Sequence, residues 1–490
     1  MPKKLLDGVK VCDFSRVIVG PLTTKPLSDY GATVVRIEGR SNLEIFRLQA
    51  PDPDLATQFT QWNTGKLGVT LNLSDPRGKE IALKIAAWAD IVVENFAGGV
   101  ISKLGLGYEE ITKVNPNVIM LSSCMQGQTG PFARHPGWGF QLSALSGFSH
   151  ITGWTDVPPS ELGVYTDFIT PQYNVCLLIG ALLYRKRTGK GMFIDTAQFE
   201  TGLHFISPLL LDYFVNNRIG ERMGNRSDTA APHNAFRCKD EARYCVINIS
   251  NDEEWEKFCV VLGNPEWTKE QKFSTQELRK ANQQDLRKLV EEWSANLTVE
   301  DVMNKMQAAE LKAERLLDNN DVSKLSNAYR CKDEDRWCAI AVTTDEEWQN
   351  FCKVIGNPVW TNDSKFGTLA KRKENEDELD RLVEEWTTKH LAFDVMNIVQ
   401  EAGVPAGVVE TGEDQLEHDL QTRHRNFFQE LDHPRLGKHH AAASPFQMSK
   451  APCELERAPL LGEHNEYVLK EILGLTDEEI VDLVVNGVLE

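Results

Sequence analysis

One segment of this chain occurs twice. Residues 234–268 read NAFRCKDEARYCVINISNDEEWEKFCVVLGNPEWT, and residues 327–361 read NAYRCKDEDRWCAIAVTTDEEWQNFCKVIGNPVWT, at a constant offset of 93 residues. The same offset relates Trp293 to Trp386 without a gap. Solenoid repeats are only about 20–50 residues long. The chain is therefore predicted to contain a tandem duplication of a whole small α+β domain, with its Trp and Phe residues in the core.

The residues ahead of the duplication alternate between strand-like and helix-like segments. VKVCDF (9–14) and ATVVRIE (32–38) are rich in β-branched residues and flank a helical stretch at 22–30. The alternation continues through 61–110 and reaches a further strand at 118–122. This pattern predicts an α/β fold with an open, mainly parallel sheet whose ligand lies at the carboxyl ends of the strands.

The turn after the first strand lacks the G-x-G-x-x-G fingerprint, which argues against a dinucleotide-dependent dehydrogenase. Glu38 ends the second strand, where such enzymes hold a ribose-binding acid. Arg40, two residues on, suits a phosphorylated ribose better. A solvated arginine at a strand end is an equally good interpretation of these residues.

Composition narrows the classes of partner. With 53 basic and 72 acidic residues the net charge is −19, which argues against nucleic acid. No stretch approaches about 18 consecutive apolar residues, and the N-terminus lacks a signal-peptide core, so a cytoplasmic protein without membrane association is expected. The ten cysteines include no C-x-x-C pair and the histidines form no ligand cluster, so buried thiols and no metal site are predicted.

A single acid, Asp167, precedes a long apolar stretch. Thr170 is a good N-cap and Pro171 a good first helical residue, so Asp167 is predicted to lie just before a buried helix. The helix dipole favours an ionised carboxylate, while apolar neighbours strip it of water and make it a potential nucleophile. A capping or salt-bridged role is the stronger interpretation of the pattern alone. Residues 204–217 are predicted to form another buried helix.

Several motifs together resemble one family. The opening pattern L-x-G-x-x-V-x-D…GP…GA-x-V-x-x-x-E is present, as are NTGK-x-x-V-x-L-x-L, D-x-V-x-E-N-F-x-x-G and D-x-x-T…ALLYRKRTGKGMFID. These motifs resemble the class III (CaiB/BaiF-type) CoA-transferases, and the segment PHNAFRCKDEARYCVI resembles the benzylsuccinate type within them. The resemblance covers most of the chain.

The resemblance implies an architecture. A Rossmann-like, mainly parallel large domain would comprise residues 1–225 and 411–490, and so be built from both chain ends. The inserted small domain would be present as copy one, 230–326, and copy two, 327–410. In the family, a turn after the small domain leads the chain back to the large domain. Gly403–Gly407 of copy two matches this turn, so only copy two is predicted to have it. Relatives form intertwined dimers, which implies a homodimer or a heteromer with a paralogous subunit.

The resemblance also implies a site. Asp167 would be the catalytic nucleophile, with CoA thioesters as substrates and no tightly bound cofactor. The residues implied to bind CoA are Arg16, Val17, Val19, Arg40, Leu71, Asn72, Asn95, Phe96 and Lys103. The residues implied to line the substrate pocket are Ile18, Gln58, Trp138 and Phe140. The glycine-rich segment 127–131 is a candidate donor of backbone N–H groups, although turn formation explains its glycines equally well.

The predicted function is transfer of CoA from an acyl-CoA, with succinyl-CoA as the expected donor, to a carboxylic acid. Ile18, Gln58 and Phe140 replace the oxalate-site residues of formyl-CoA transferases, so a larger acceptor such as an aryl- or alkyl-succinate is predicted. Two alternatives remain. Racemases and isomerases of this fold carry G-H-D where this chain has Gly137-Trp138-Gly139, which removes one of the two acid/base groups they need. The other alternative is a non-catalytic subunit of a heteromeric CoA-transferase.

Overall fold

The computed structural model describes residues 4–154, 157–227, 229–239, 243–316, 327–342 and 344–490. The chain divides into two compact units, Met1–Gly224 with Asp419–Glu490, and Asn225–His418. The boundary expected between residues 326 and 327 adjoins 317–326, which lie outside the described residues. No helix in the described ranges is long and apolar enough to cross a bilayer.

The strands are β1 (Lys10–Asp13), β2 (Thr33–Glu38), β3 (Leu67–Thr70), β4 (Ile91–Glu94), β5 (Ile119–Cys124), β6 (Met192–Ala197), β7 (His233–Arg237), β8 (Tyr244–Asn248), β9 (Lys312–Leu316), β10 (Asn327–Arg330), β11 (Trp337–Ile340), β12 (Ala406–Val408), β13 (Phe428–His433) and β14 (Gly437–Ala442).

The α-helices are α1 (Val19–Asp29), α2 (Ile45–Leu48), α3 (Thr57–Trp62), α4 (Pro76–Trp88), α5 (Val100–Lys103), α6 (Tyr108–Val114), α7 (Gly139–Leu145), α8 (Phe148–Ile151), α9 (Tyr165–Thr188), α10 (Gln198–Phe205), α11 (Ser207–Asn216), α12 (Asp252–Leu262), α13 (Gln276–Ala281), α14 (Gln283–Ser294), α15 (Val299–Ala308), α16 (Asp345–Val354), α17 (Leu369–Glu374), α18 (Glu376–Thr387), α19 (Ala392–Glu401), α20 (Leu420–His424), α21 (Asn465–Tyr467) and α22 (Asp477–Val485).

The first unit is organised around a six-stranded parallel sheet in the order β3-β2-β1-β4-β5-β6. Its central strands are buried on both faces, which explains why they read as continuous apolar runs. Helices such as α4 and α9 cover the faces. The predicted α/β class and parallel sheet are confirmed.

The end of the chain completes this unit. The backbone N–H of Asn72 donates to the Val488 carbonyl at 2.9 Å, and the Thr70 hydroxyl donates to the Glu490 carbonyl at 2.5 Å. Leu483 and Leu489 join the apolar core that contains Val69 and Leu71. The large α/β body is therefore built from both ends of the chain.

The second unit repeats one arrangement twice. Strands β7-β8-β9 and β10-β11-β12 form two antiparallel sheets of three strands. Ile247 pairs with Ala313 in the first, and Ile340 pairs with Ala406 in the second. Copy one therefore has a third strand equivalent to that of copy two, which the sequence analysis did not predict. Strand pairing uses backbone atoms, so the third strand persists although the Gly403–Gly407 sequence does not.

The repeat extends to a buried charge that the sequence did not reveal. Arg279 donates to the Phe273 carbonyl at 3.1 Å and to Asp252 at 2.6 Å, and its guanidinium lies 4.7 Å from the centre of the Trp255 ring. Arg372 makes the same three contacts, each with a partner 93 residues later. Each copy thus carries its own arginine-centred core cluster.

All ten cysteines are free thiols, as predicted. Five of the six in the repeats are buried, and Cys259 is half-buried. Cys176 on α9 is exposed, so the prediction of buried thiols is wrong there. Burial raises the pKa of Cys338 to about 12, which keeps that thiol protonated and unreactive.

Candidate active site

Helix α9 carries Asp167 in its first turn. The helix begins at Tyr165, so the predicted start at Pro171 is wrong. Pro171 removes one hydrogen bond, to the carbonyl of Asp167, but packing of α9 against α1, α7 and α10 holds the helix through it. The carboxylate is thus fixed by helical backbone rather than by a loop.

The helix was predicted to be buried, and only one side of it is. Asp167, Asn174 and Leu178 lie on a buried stripe of α9, whereas Phe168 is 49% exposed on the other side. Helix α11, predicted to be buried, exposes 81% of Phe214. An apolar pattern alone does not distinguish a core from a surface that another chain covers.

Asp167 is buried, and no lysine, arginine or histidine among the described residues forms an ion pair with it. Only 9% of the residue is exposed, and no hydrogen bond or ion pair from the described residues reaches its carboxylate. Burial raises the pKa of this carboxyl to about 6. Desolvation disfavours the ionised form of a carboxyl, and it is the cause of this shift.

The first residue of α7 lies directly against this carboxylate. A Cβ atom at Gly139 would stand 2.7 Å from Oδ2 of Asp167, so only glycine fits there without a shift of the chain. The flanking Trp138 and Phe140, both predicted pocket residues, have exposed side chains. Ile18 is buried just ahead of α1, and Gln58 is exposed on α3. The structure thus places two of the four predicted pocket residues beside the residue that touches Asp167.

A cavity of about 300 Å³ opens at the carboxyl ends of β1, β2 and β3. Four residues predicted to bind CoA line it, namely Arg16, Leu71, Asn72 and Phe96. Its location agrees with the expected position of a ligand in an open parallel sheet.

The other predicted CoA-binding residues are not among those that line this cavity. Arg40 and Lys103 are exposed, next in the chain to the lining residues Gly39 and Leu104. Val19 is the buried first residue of α1. Val17 has a φ of 65°, a left-handed conformation that is strained for a β-branched residue.

Asn95 explains how Val17 is held. The side-chain amide of Asn95 donates to the Arg16 carbonyl at 2.8 Å and accepts from the Arg16 N–H at 2.7 Å. The Val17 N–H donates to Glu44 at 3.3 Å. Asn95 therefore fixes the backbone beside the cavity instead of bonding its own backbone as a turn residue.

A buried charge network lies under the cavity, and the sequence reasoning missed it. Lys66 Nζ lies 3.1 Å from Asp13 Oδ2, and Arg36, also buried, pairs with Glu44. Burial alone would raise the pKa of Asp13, but Lys66 and then Arg36 hold it below its usual range. Burial lowers the pKa of Lys66 to about 8.

Glu38 belongs to the same network. Its carboxylate accepts two hydrogen bonds from Arg47, at 2.8 and 2.9 Å. Glu38 is therefore held in an ion pair with Arg47.

With the fold and site in place, comparison with known proteins gives the class. The model of CoA-transferase family III matches residues 6–325 and, a second time, 318–465. The chain belongs to CoA-transferase family III, and the protein is an enzyme of the CoA-transferase type. The predicted family is confirmed.

Individual relatives support this assignment. The chain is 28% identical over 492 residues to succinyl-CoA:glutarate CoA-transferase of Mus musculus, covering 99% of this chain and 91% of that protein. It is 30% identical over 322 residues to the succinyl-CoA–L-malate CoA-transferase beta subunit of Chloroflexus aurantiacus, covering 64% and 79%. A solved CaiB/BaiF family protein from Brucella suis matches with a TM-score of 0.55 and 25% identity, covering 96% of this chain and all of that one.

Proposed function

We propose that this enzyme transfers CoA from succinyl-CoA to a dicarboxylic acid, with Asp167 as the nucleophile. The observation that carries the proposal is a buried carboxylate without a cation or hydrogen-bond donor from the described residues. With a pKa of about 6 it is mainly ionised near neutral pH, and desolvation makes it more nucleophilic.

The proposed reaction exchanges acyl bonds without a net gain or loss of water. An Asp167 oxygen attacks the thioester carbonyl, the C–S bond breaks, and CoA thiolate leaves a mixed anhydride. The thiolate attacks the aspartyl carbonyl and releases succinate, which leaves an aspartyl–CoA thioester. The acceptor carboxylate displaces CoA thiolate from it, and the thiolate then takes the acceptor's acyl group and frees Asp167.

The cavity lined by Arg16 and Phe96 is proposed to hold part of the CoA moiety. Arg16 donates to the Asn42 carbonyl at 2.8 Å, which directs its guanidinium along the cavity wall. Arg40 and Lys103 add positive charge near it, which favours an anionic ligand in a chain with a net charge of −19.

The acceptor is the less constrained substrate. Relatives with succinyl-CoA in their names are named for glutarate or for L-malate as the other acid. A short aliphatic dicarboxylic acid is our first candidate for the acceptor. The aryl- or alkyl-succinate expected from the sequence is the second candidate. A racemase is disfavoured because segment 137–139 supplies no acid or base beside Asp167.

We further propose that a second chain covers the apolar side of α9 and α11. Phe168, Leu177, Leu211, Phe214 and Val215 are exposed on these two helices, and exposed apolar patches are typical of interaction surfaces. A second copy would give a homodimer. A paralogous subunit would give a heteromer, and the malate relative is itself named a beta subunit.

Turnover by the purified chain tests the proposal. The enzyme is incubated with succinyl-CoA and, separately, glutarate, L-malate, oxalate or benzylsuccinate, and the new acyl-CoA is measured by chromatography. A new acyl-CoA with at least one dicarboxylate is expected. Absence of transfer with every acceptor would favour a non-catalytic subunit, and solvent-deuterium incorporation at the α-carbon of the acyl-CoA would favour an isomerase.

A further inference from the structure

A second buried acid, Glu94, has no role in the mechanism above. It is the last residue of β4, and its exposed fraction is 0%. One oxygen, Oε2, accepts the N–H of Phe96 at 2.7 Å, and the other, Oε1, accepts Nε2 of Gln128 at 3.1 Å. The carboxylate therefore joins two loops that follow neighbouring strands.

The first loop, residues 95–99, contributes Phe96 to the wall of the cavity. We call it the groove loop. The second, residues 127–131, is the glycine-rich loop. Gln128 ties the two together a second time, because its Oε1 accepts the N–H of Gly99 at 3.0 Å.

The surroundings of Glu94 do not neutralise its charge. Glu94 pairs in register with Ser122 of β5, which pairs with Asp195 of β6, so the three side chains share one face of the sheet. Asp195 accepts the backbone N–H of Gln128 at 3.0 Å. Burial, reinforced by Asp195, raises the pKa of Glu94 to about 7 despite the hydrogen bond from the Phe96 N–H.

No lysine or arginine of the described residues pairs with Glu94, whereas Glu38 and Glu44 each pair with an arginine. An unpaired buried acid destabilises a fold when it ionises. A buried acid with a raised pKa beside a cavity is therefore a candidate functional residue.

We propose that Glu94 is a positioning residue that couples occupancy of the cavity to the arrangement of the glycine-rich loop. CoA in the cavity contacts the groove loop, and the Glu94–Gln128 link transmits its position to the segment leading into α7 and Gly139, which touches Asp167. The inference rests on the proposed function, because it assumes that CoA occupies this cavity.

The hydrogen-bond pattern gives a sharp test. In Glu94→Gln one donor–donor clash is unavoidable: the new amide faces either the Phe96 N–H or the Gln128 amide, and turning Gln128 moves the clash to Gly99. Gln128→Glu places two carboxylates against each other. The double variant E94Q/Q128E restores all three hydrogen bonds, since the new amide donates to the new carboxylate.

The parent, E94Q, Q128E and the double variant are compared by kcat, by KM for succinyl-CoA and by melting temperature. E94Q and Q128E are each expected to lower kcat/KM at least tenfold, and the double variant to recover to within about threefold of the parent. A purely structural role would lower the melting temperature of E94Q and leave kcat unchanged. Equal kcat/KM in E94Q and the parent, or no recovery in the double variant, would overturn the inference.

Hydrogen exchange provides a readout that needs no turnover. Adding free CoA is expected to protect backbone amides of residues 127–131 in the parent and not in E94Q. Gln128→Ala removes the Glu94–Gln128 hydrogen bond without altering a buried acid and should behave like E94Q. It replaces E94Q in this experiment if E94Q folds poorly. A parent that binds CoA without transferring it refutes the proposed function and leaves this test valid. A parent that does not bind CoA refutes both, and equal protection in E94Q and the parent refutes the coupling alone.

Discussion

Two buried carboxylates of the same unit, Asp13 and Asp167, have opposite surroundings. Asp13 accepts hydrogen bonds from Ser15 and Thr24 and lies 3.1 Å from Lys66. Asp167 has none of these. The pKa of Asp13 is lowered, and that of Asp167 is raised to about 6. Burial penalises both charges, so the opposite pKa shifts follow from the cations and hydrogen-bond donors that surround Asp13 and that Asp167 lacks among the described residues.

The largest expected effect is on turnover in Asp167→Asn. In the proposed mechanism Asp167 forms the anhydride, so this change should reduce CoA transfer by at least about 10³-fold. The unfolding free energy should stay equal or rise, because a neutral amide replaces a buried charge. Steady-state kinetics and urea denaturation measure the two quantities.

The matched control is Asp301→Asn, which alters an exposed acid in the second unit and should leave both quantities unchanged. Turnover of Asp167→Asn within tenfold of the parent would remove the distinction between the two carboxylates.

The next effect is on stability in Asp13→Asn. Removing this carboxylate leaves Lys66 and Arg36 buried with less compensation, so the unfolding free energy should fall by about 3–5 kcal/mol. Urea denaturation at pH 7.5 measures it. A loss below about 1 kcal/mol would mean that the network under the cavity contributes little, and that Asp13 and Asp167 differ less than their contacts indicate.

The smallest effect is the dependence of stability on pH. The raised pKa of Asp167 favours the folded state below pH about 4, and this contribution is lost as the pH rises through about 6. Between pH 4.5 and 7.5 the parent should therefore lose about 2 kcal/mol more stability than Asp167→Asn. Glu94 titrates in both proteins, so its contribution to the pH dependence of stability cancels when the two proteins are subtracted.

The pKa shift of Asp13 has the opposite sign, so its contribution to stability is present above pH about 4 and is lost as the pH falls below that.

Identical stability–pH curves for the parent and Asp167→Asn would show that Asp167 is not desolvated.

Local sequence patterns were sufficient to predict the parallel sheet and the duplication of the small domain. The strands ending at Asp13 and Glu94 are apolar runs, and the repeat needs only sequence comparison. The start of α9 was mispredicted because Pro171 is a strong local signal, whereas the packing that extends the helix to Tyr165 comes from distant segments.

The rest of the site depended on contacts between distant residues. Lys66 meets Asp13 across 53 positions, and Asn95 meets Arg16 across 79. No spacing rule reports such pairs. Asp167 itself could be selected from the sequence only through the family resemblance, because the missing partners that distinguish it from a capping acid are a property of the folded chain.

The covalent state of Asp167 is the most direct test of the account. The enzyme is mixed with succinyl-CoA, trapped with hydroxylamine, digested and examined by mass spectrometry. Conversion of Asp167 to its hydroxamate, absent without succinyl-CoA and absent at Asp13, is the expected result. Turnover with Asp167 unmodified, or a hydroxamate at another carboxylate, would contradict it.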